Sequence, residues 1–275
     1  MTYREAISLG EKILEKADIV DAKTDAWLLL EMICKIDRSF YYMHLNDDMN
    51  EEQVKEYEIT LKKRAEHVPL QYIVGETEFM GLKFKVNSNV LNPRQDTETL
   101  VEEALKVVRP GMKVLDMCTG SGCIIISILH NVIGVEGYAA DISKQAINVA
   151  KENAKLNEVS VMFESSDLFD HITGTYDMIV SNPPYIRTEE VAKLMPEVRL
   201  FEPEQALDGK EDGLYFYRKI VEKSKEYLNP EGYLLFEIGY DQGEDVSAMM
   251  REQGFKDVKV IKDLAGNDRV VSGML

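Results

Sequence analysis

The residues with the clearest chemical potential are Asn182-Pro183-Pro184-Tyr185, which follow the apolar run Met178-Ile179-Val180. Two consecutive prolines fix φ and supply no N–H donors, so a strand that ends in them becomes a rigid platform of outward-facing carbonyl acceptors. Asn182 adds a side-chain carbonyl and Tyr185 a flat surface for a planar group. Asn-Pro is also a common turn dipeptide, and a stiff strand-to-loop turn is its plainer use. The platform suits a particular reaction. An amide or aromatic amino nitrogen is a poor nucleophile because its lone pair is delocalised. Two acceptors, the Asn182 side-chain oxygen and the Pro183 carbonyl, can take both of its N–H hydrogens, raise electron density on nitrogen and aim it at an activated carbon for in-line displacement. Such alignment is worth on the order of several kcal/mol. Positive charge moves toward the nitrogen during transfer, so acceptors already aimed at its hydrogens act most strongly in the transition state. No strong general base is needed, since the proton can leave late to water.

A second constellation supplies a place for the activated carbon. Asp116-Met117-Cys118-Thr119-Gly120-Ser121-Gly122 lies between a buried apolar strand and a helix. Gly120 and Gly122 let the backbone approach a ligand closely, and amides at the helix start can face a polar group. A phosphate-binding loop would need Gly-Lys-Ser/Thr, and the dinucleotide fingerprint would need glycine where Ile125 stands. What remains is a nucleoside ligand without pyrophosphate, S-adenosylmethionine. Asp141 stands 21 residues beyond Gly120, at the end of the next strand. There it either accepts hydrogen bonds from a ribose diol or caps the following helix. Asp167 and Leu168, after the third strand, either meet the adenine amino group and ring or belong to an ordinary turn. The four histidines are scattered without metal-ligand spacing, so no metal is expected.

These residues need a parallel sheet to bring them to one edge. After Asn92-Pro93 the chain alternates helix and strand. Strands are expected at 113–117, 138–141, 160–163, 176–180 and 233–238, with helices capped by Asp96 or Thr97 and by Ser143, and further helices after Gly122 and at 214–228. That alternation predicts a doubly wound, mostly parallel Rossmann-like α/β sheet. Residues 258–261 and 269–271, separated by Gly266-Asn267-Asp268, complete seven strands as an antiparallel pair at the sheet edge. Residues 1–70 read as a small helical bundle, with Thr2/Glu5 and Asn50/Gln53 in capping-box spacing. Residues 71–91, where Leu82, Phe84 and Val86 alternate with Lys83 and Lys85, predict a β-hairpin linker, leaving 92–275 as the catalytic domain. Residues 186–213 form a poorly periodic insertion with one helix near 189–194, expected to border the substrate entrance.

Length and composition set limits. At 275 residues, with 45% hydrophobic and 29% charged residues, the chain can build one large or two modest domains. A net charge of -17 disfavours a protein whose affinity comes from neutralising phosphates, so no direct nucleic-acid binding is expected. Lys62-Lys63-Arg64 is too short to reverse this and reads as a solvated helix face, while Arg187 and Arg199 either touch a partner or pair with local acids. No apolar run is long enough to span a bilayer and the N-terminus lacks a signal-peptide pattern. Three cysteines without a CxxC pair point to reduced thiols and the cytoplasm.

In their order along the chain, Asp116-x-Cys118-x-Gly120-x-Gly122, Asp141 and Asn182-Pro183-Pro184-Tyr185 resemble class I S-adenosylmethionine-dependent methyltransferases acting on amino nitrogen. The tetrapeptide is shared by DNA N6-adenine methyltransferases and by enzymes that methylate a protein glutamine. Pro69-Leu70-Gln71-Tyr72-Ile73-Val74-Gly75, Phe79-Met80-Gly81-Leu82-Lys83-Phe84, Val90-Leu91-Asn92-Pro93-Arg94-Gln95-Asp96-Thr97-Glu98, Glu202-Pro203-Glu204-Gln205-Ala206-Leu207-Asp208-Gly209 and Leu264-Ala265-Gly266-Asn267-Asp268-Arg269 are similar to the release factor glutamine methyltransferases, the PrmC/HemK family. The resemblance spans the whole chain. It implies N5-methylation of the glutamine in the Gly-Gly-Gln motif of bacterial peptide chain release factors. It further implies that Cys118, Thr119, Gly120, Ser121, Gly122, Asp141, Asp167, Leu168 and Asn182 contact the cofactor, that Asn182, Pro183, Pro184 and Tyr185 hold the glutamine, and that the bundle helps dock the partner. Cys118, Asn92, Gln95 and Lys210 depart from the family pattern. Two rival functions are N6-adenine methylation of DNA or RNA, which the acidic charge opposes, and a non-catalytic cofactor-binding regulator, which would have no use for two convergent acceptors.

Overall fold

The structure is a computed structural model that describes all 275 residues. The chain divides into two units, one of Met1–Gly75 with Pro196–Phe201 and one of Glu76–Met195 with Glu202–Leu275.

The first unit contains α1 (Tyr3–Lys16), α2 (Ala22–Cys34), α3 (Arg38–Met43), α4 (Glu51–Ala65) and α5 (Leu70–Val74). Both capping boxes form: Thr2 with Glu5 starts α1 and Asn50 with Gln53 starts α4. The bundle core is built from Leu14, Trp27, Leu29, Leu30, Tyr57 and Leu61, and the Tyr57 hydroxyl donates to the Ala26 carbonyl at 3.0 Å. Arg64 is not on a solvated face. Lys62 and Lys63 are exposed, but Arg64 is buried, with Nε 2.6 Å from Asp25 and Nη2 2.6 Å from Glu197 of the helix Pro196–Phe201.

The second unit begins with the hairpin β1 (Glu76–Phe79) and β2 (Leu82–Lys85). This is shorter than the 71–91 expected, because Pro69 starts the helical turn α5 and Gly75 ends it at φ 84°. Then follow α6 (Glu98–Val107), β3 (Lys113–Met117), α7 (Cys123–Asn131), β4 (Glu136–Asp141), α8 (Lys144–Leu156), β5 (Val161–Ser165) and β6 (Tyr176–Ser181). The expected single helix of the insertion is two short ones, α9 (Thr188–Val191) and α10, the Pro196–Phe201 helix of the first unit. The chain ends with α11 (Tyr215–Tyr227), β7 (Leu228–Glu237), α12 (Gly243–Glu252), β8 (Lys256–Lys262) and β9 (Asp268–Met274).

The seven-stranded sheet has the order β5-β4-β3-β6-β7-β9-β8. All neighbours from β5 to β7 are parallel, and β9 runs antiparallel to both β7 and β8. The order reverses between β3 and β6, so the ends of β3, β4 and β6 open onto one crevice, where ligands settle in open α/β sheets. Side chains alternate between two cores. Val114, Met178, Val180 and Leu235 face α6 and α7, whereas Leu115, Ile179, Leu234 and Phe236 face α11 and α12.

Candidate active site

The crevice holds a cavity of about 350 Å³ at the carboxyl ends of β3, β4 and β6. Its walls include Cys118, Thr119, Gly120, Ser121, Asp141, Asp167, Leu168, Asn182 and Pro184. Gly122, Pro183 and Tyr185 do not line it. Gly122 instead starts α7 at φ 81°, and a Cβ there would lie 2.9 Å from Ile126 Cδ1 and 3.1 Å from Ala150 Cβ of α8. Its lack of a side chain serves helix packing. Gly120, at φ 54°, faces open space. Between them Ser121 has its carbonyl tied to Asn153 Nδ2 at 2.9 Å.

Acids hold the loop in shape. Asp116 is fully buried, accepts the Thr119 hydroxyl at 2.6 Å, and is pushed by burial up to about 7, against the pull of Thr119 and the Ile125 amide. Asp141 accepts the Gly120 amide on Oδ2 at 2.9 Å and the Ser143 amide on Oδ1 at 2.8 Å. It does not cap α8; Ser143 does, accepting from the Ala146 amide at 3.1 Å. Burial raises the Asp141 carboxyl, and its two amide bonds work against that. Each carboxylate oxygen keeps a lone pair for a further donor. Cys118 sits at φ 62°, a conformation that costs a non-glycine residue about 1–2 kcal/mol. Burial pushes the Cys123 thiol up to about 12 and lifts Cys118 as well, so neither is a nucleophile near neutral pH.

The tetrapeptide is braced from behind. Ser181 Oγ donates to the Met117 carbonyl at 2.6 Å, joining the ends of β6 and β3. Gln242 Nε2 donates to the Tyr185 and Gly213 carbonyls at 3.0 and 3.2 Å, which fixes the exit of the turn. The returning insertion pairs with it through Ile186 N to Leu207 O at 3.0 Å and Gly209 N to Ile186 O at 2.8 Å. The carbonyls of Pro183 and Pro184 accept no hydrogen bond from the protein. Asn182 Nδ2 donates to Thr97 Oγ1 at 3.3 Å, which leaves Oδ1 as the free acceptor at the cavity wall. The Tyr185 ring, expected as a flat surface for a planar group, does not line the cavity. It packs on the core around Tyr217 and Phe236, and its hydroxyl donates to Glu237 Oε1 at 3.3 Å.

Several residues of the site lie outside the Asp116–Gly122 loop and the tetrapeptide. Asn89, Val90, Leu91, Pro93 and Arg94 form one wall, and Arg94 Nη2 reaches both Glu202 oxygens at 2.7 and 2.8 Å. Of the two expected caps, Asp96 and Thr97, the N-cap position falls to Thr97, whose side chain makes no cap bond and serves Asn182 instead. Gln205, Lys210, Tyr215 and Phe216 bring the end of the insertion to the cavity, and Lys210 adopts φ 72°, where glycine is at ease. Arg187 pairs with Asp241 at 2.8 Å.

Comparison with known proteins agrees with this layout. Residues 5–75 match the family description "PrmC N-terminal domain" and residues 94–206 "Methyltransferase small domain". A release factor glutamine methyltransferase of Clostridium botulinum is 41% identical, with 98% of each chain covered. One from Geobacter sulfurreducens is 38% identical over 100% of this chain and 97% of its own. Among solved structures, a methyltransferase from Pyrococcus furiosus shares the fold at a TM-score of 0.54 and 18% identity, over 70% of this chain and 89% of that one. With near-complete coverage in both directions, and with Cys118 to Ser121, Asn182 and Pro184 gathered on one cavity, the chain belongs to the release factor glutamine methyltransferase family.

Proposed function

We propose that the protein transfers a methyl group from S-adenosylmethionine to the side-chain amide nitrogen (N5) of the glutamine in the Gly-Gly-Gln motif of bacterial peptide chain release factors. The observation that carries this reading is the commitment of Asn182 Nδ2 to Thr97, which leaves a carbonyl acceptor on the cavity wall beside the Gly120 loop. The cavity suits the cofactor: its volume is in the range of small-ligand sites. Asp141 and Asp167 add acceptors for a ribose diol and an adenine amino group, and Leu168 an apolar wall for the base. When bound, the cofactor supplies an electrophilic methyl on a sulfonium. Asn182 Oδ1 and the Pro183 carbonyl accept the two N–H hydrogens of the glutamine carboxamide and orient its nitrogen. Both acceptors gain strength as positive charge arrives there. Asn182 also lines the cavity that would hold the cofactor, so one residue would set the approach of both partners. Thr119, Ser121 and Cys118 shape the loop beneath, Pro184 closes the wall, and Gly122 and Tyr185 act from outside it through packing.

The helical unit Met1–Gly75 is the docking surface for the release factor in this proposal, with residues 76–91 as linker and 92–275 as the catalytic domain. No helix is long and apolar enough to cross a membrane, and the unpaired Cys34, Cys118 and Cys123 suit a reducing cytoplasm. The test is transfer of labelled methyl from S-adenosylmethionine to a bacterial release factor, run beside adenine-containing DNA. Label on the release factor is expected. Label on DNA alone overturns the reading in favour of an adenine enzyme, and label on neither in favour of a regulator.

A further inference from the structure

Behind the tetrapeptide lies a buried carboxylate that the reaction above does not use. Glu237, the last residue of β7, is 1% exposed. Its Oε1 accepts the Tyr185 hydroxyl at 3.3 Å, and its backbone carbonyl accepts the Tyr217 hydroxyl at 2.9 Å. The Thr97 hydroxyl lies close enough to favour the charged carboxylate, yet no hydrogen bond of good geometry reaches Oε2. A buried carboxylate with one free oxygen is costly to keep, so its surroundings deserve a chemical reason.

A carboxamide is nearly symmetric in shape but not in polarity. Turned one way, Asn182 offers the glutamine an acceptor; turned the other, it offers two hydrogens to a nitrogen that already carries two. Thr97 decides which, because its hydroxyl can either accept from Asn182 Nδ2 or donate to Oδ1. A neighbour that only accepts would take the Thr97 hydrogen and leave the Oγ1 lone pairs to Asn182. We propose that Glu237 and Thr97 form a relay of positioning residues that fixes the Asn182 carboxamide with Oδ1 toward the reacting nitrogen. In this relay Asn182 N–H donates to Thr97 Oγ1, and the Thr97 hydroxyl hydrogen is left to turn toward the unpartnered Glu237 Oε2. Each link polarises the next, which makes Oδ1 a better acceptor. This rests on the glutamine-methylation reading above.

Protonation of Glu237 reverses the relay. A neutral carboxyl can donate to Thr97, which then donates to Asn182 Oδ1 and turns the amide. Burial pushes Glu237 up to about 7; Thr97, Arg269 and Tyr185 pull it down and Asp96 raises it. The groups facing it are Tyr185 after β6, Arg269 on β9, Asp96 and Thr97 before α6, Tyr217 on α11 and Cys123 on α7. The tyrosine and cysteine groups are all raised and stay neutral at these pH values. Asp116 also titrates at about 7 but sits beneath the Gly120 loop, bonded to Thr119.

The test uses the full chain with release factor and S-adenosylmethionine, measuring kcat and KM from about pH 6 to 9, with cofactor affinity by calorimetry. Thr97→Val keeps the branched shape and removes the hydroxyl. It is expected to lower kcat about tenfold with KM and cofactor affinity nearly unchanged, and Thr97→Ser to restore most of the loss. Wild-type kcat should fall on the acid side of about 7. Glu237→Gln should lack that limb, and Asp116→Asn should keep it. Wild-type kcat in Thr97→Val, equal losses in Thr97→Ser and Thr97→Val, or a persisting acid limb in Glu237→Gln would each overturn the relay alone. Failure of the wild type to methylate the release factor would overturn the relay and the function together.

Discussion

The two glycines of the loop between β3 and α7 should respond differently to the same one-carbon change. At Gly122 a methyl meets two obstacles. The backbone is at φ 81°, which costs an L-residue about 1–2 kcal/mol. The new carbon also falls 2.9 Å from Ile126 Cδ1 and 3.1 Å from Ala150 Cβ, inside a packed core where extra volume costs about 1–3 kcal/mol. Gly122→Ala should therefore destabilise the methyltransferase unit by about 2–5 kcal/mol, lowering its melting temperature by several degrees. At Gly120 φ is 54° and nothing lies within 4 Å of the added carbon, so only the backbone cost of about 1–2 kcal/mol applies. That carbon enters the space of the cavity wall, so Gly120→Ala should weaken S-adenosylhomocysteine binding instead. Scanning calorimetry of both variants, with titration of the product nucleoside, measures both effects. Equal melting temperatures, or a larger affinity loss at Gly122 than at Gly120, would refute the division of labour.

Three further outcomes follow from named contacts. Asn182→Ala removes the free acceptor and should cut kcat by about a hundredfold or more with modest loss of cofactor affinity, measured by single-turnover transfer and calorimetry. Arg64→Met strands the buried Asp25 carboxylate, 2.6 Å from Arg64 Nε. It should destabilise the bundle by about 3–5 kcal/mol, read from urea unfolding followed by fluorescence of Trp27, the single tryptophan. Asp116 has its folded value raised to about 7. Its contribution to stability is thus fully present below about pH 4 and is lost as pH rises through about 7. Asp116→Asn should flatten that decline, gaining on the order of a few kcal/mol at pH 8 relative to pH 4, which melting curves across pH can check.

Much of this architecture can be read in the sequence because local patterns and tertiary demands agree. The Thr2/Glu5 and Asn50/Gln53 boxes, the apolar β3, and the Ser143 cap stand where spacing puts them. The expected 71–91 hairpin starts later, because Leu70–Val74 is a single helical turn, too short for a periodic signal. Arg64 looked solvated because its partners, Asp25 and Glu197, are 39 and 133 residues away. The same limit hid the back of the site. Thr97 precedes a helix and reads as a cap, and Glu237 ends a strand without any motif. Only the pairing of β6 with β7 brings Glu237 beside Tyr185. Asp141 shows the reverse case: both proposed uses concerned ligand or helix, whereas its amide bond to Gly120 fastens the loop itself. The residue type of Tyr185 does not give its orientation, which the core around Tyr217 sets.

The claim that the free carbonyl of Asn182 directs methyl transfer to a glutamine side chain is tested most directly by tandem mass spectrometry. The Gly-Gly-Gln peptide should be recovered from a release factor treated with wild-type protein and with Asn182→Ala. One methyl on the glutamine side-chain nitrogen, abundant with wild type and nearly absent with the variant, is the expected result. A methyl on any other residue, or equal methylation by both proteins, would contradict it.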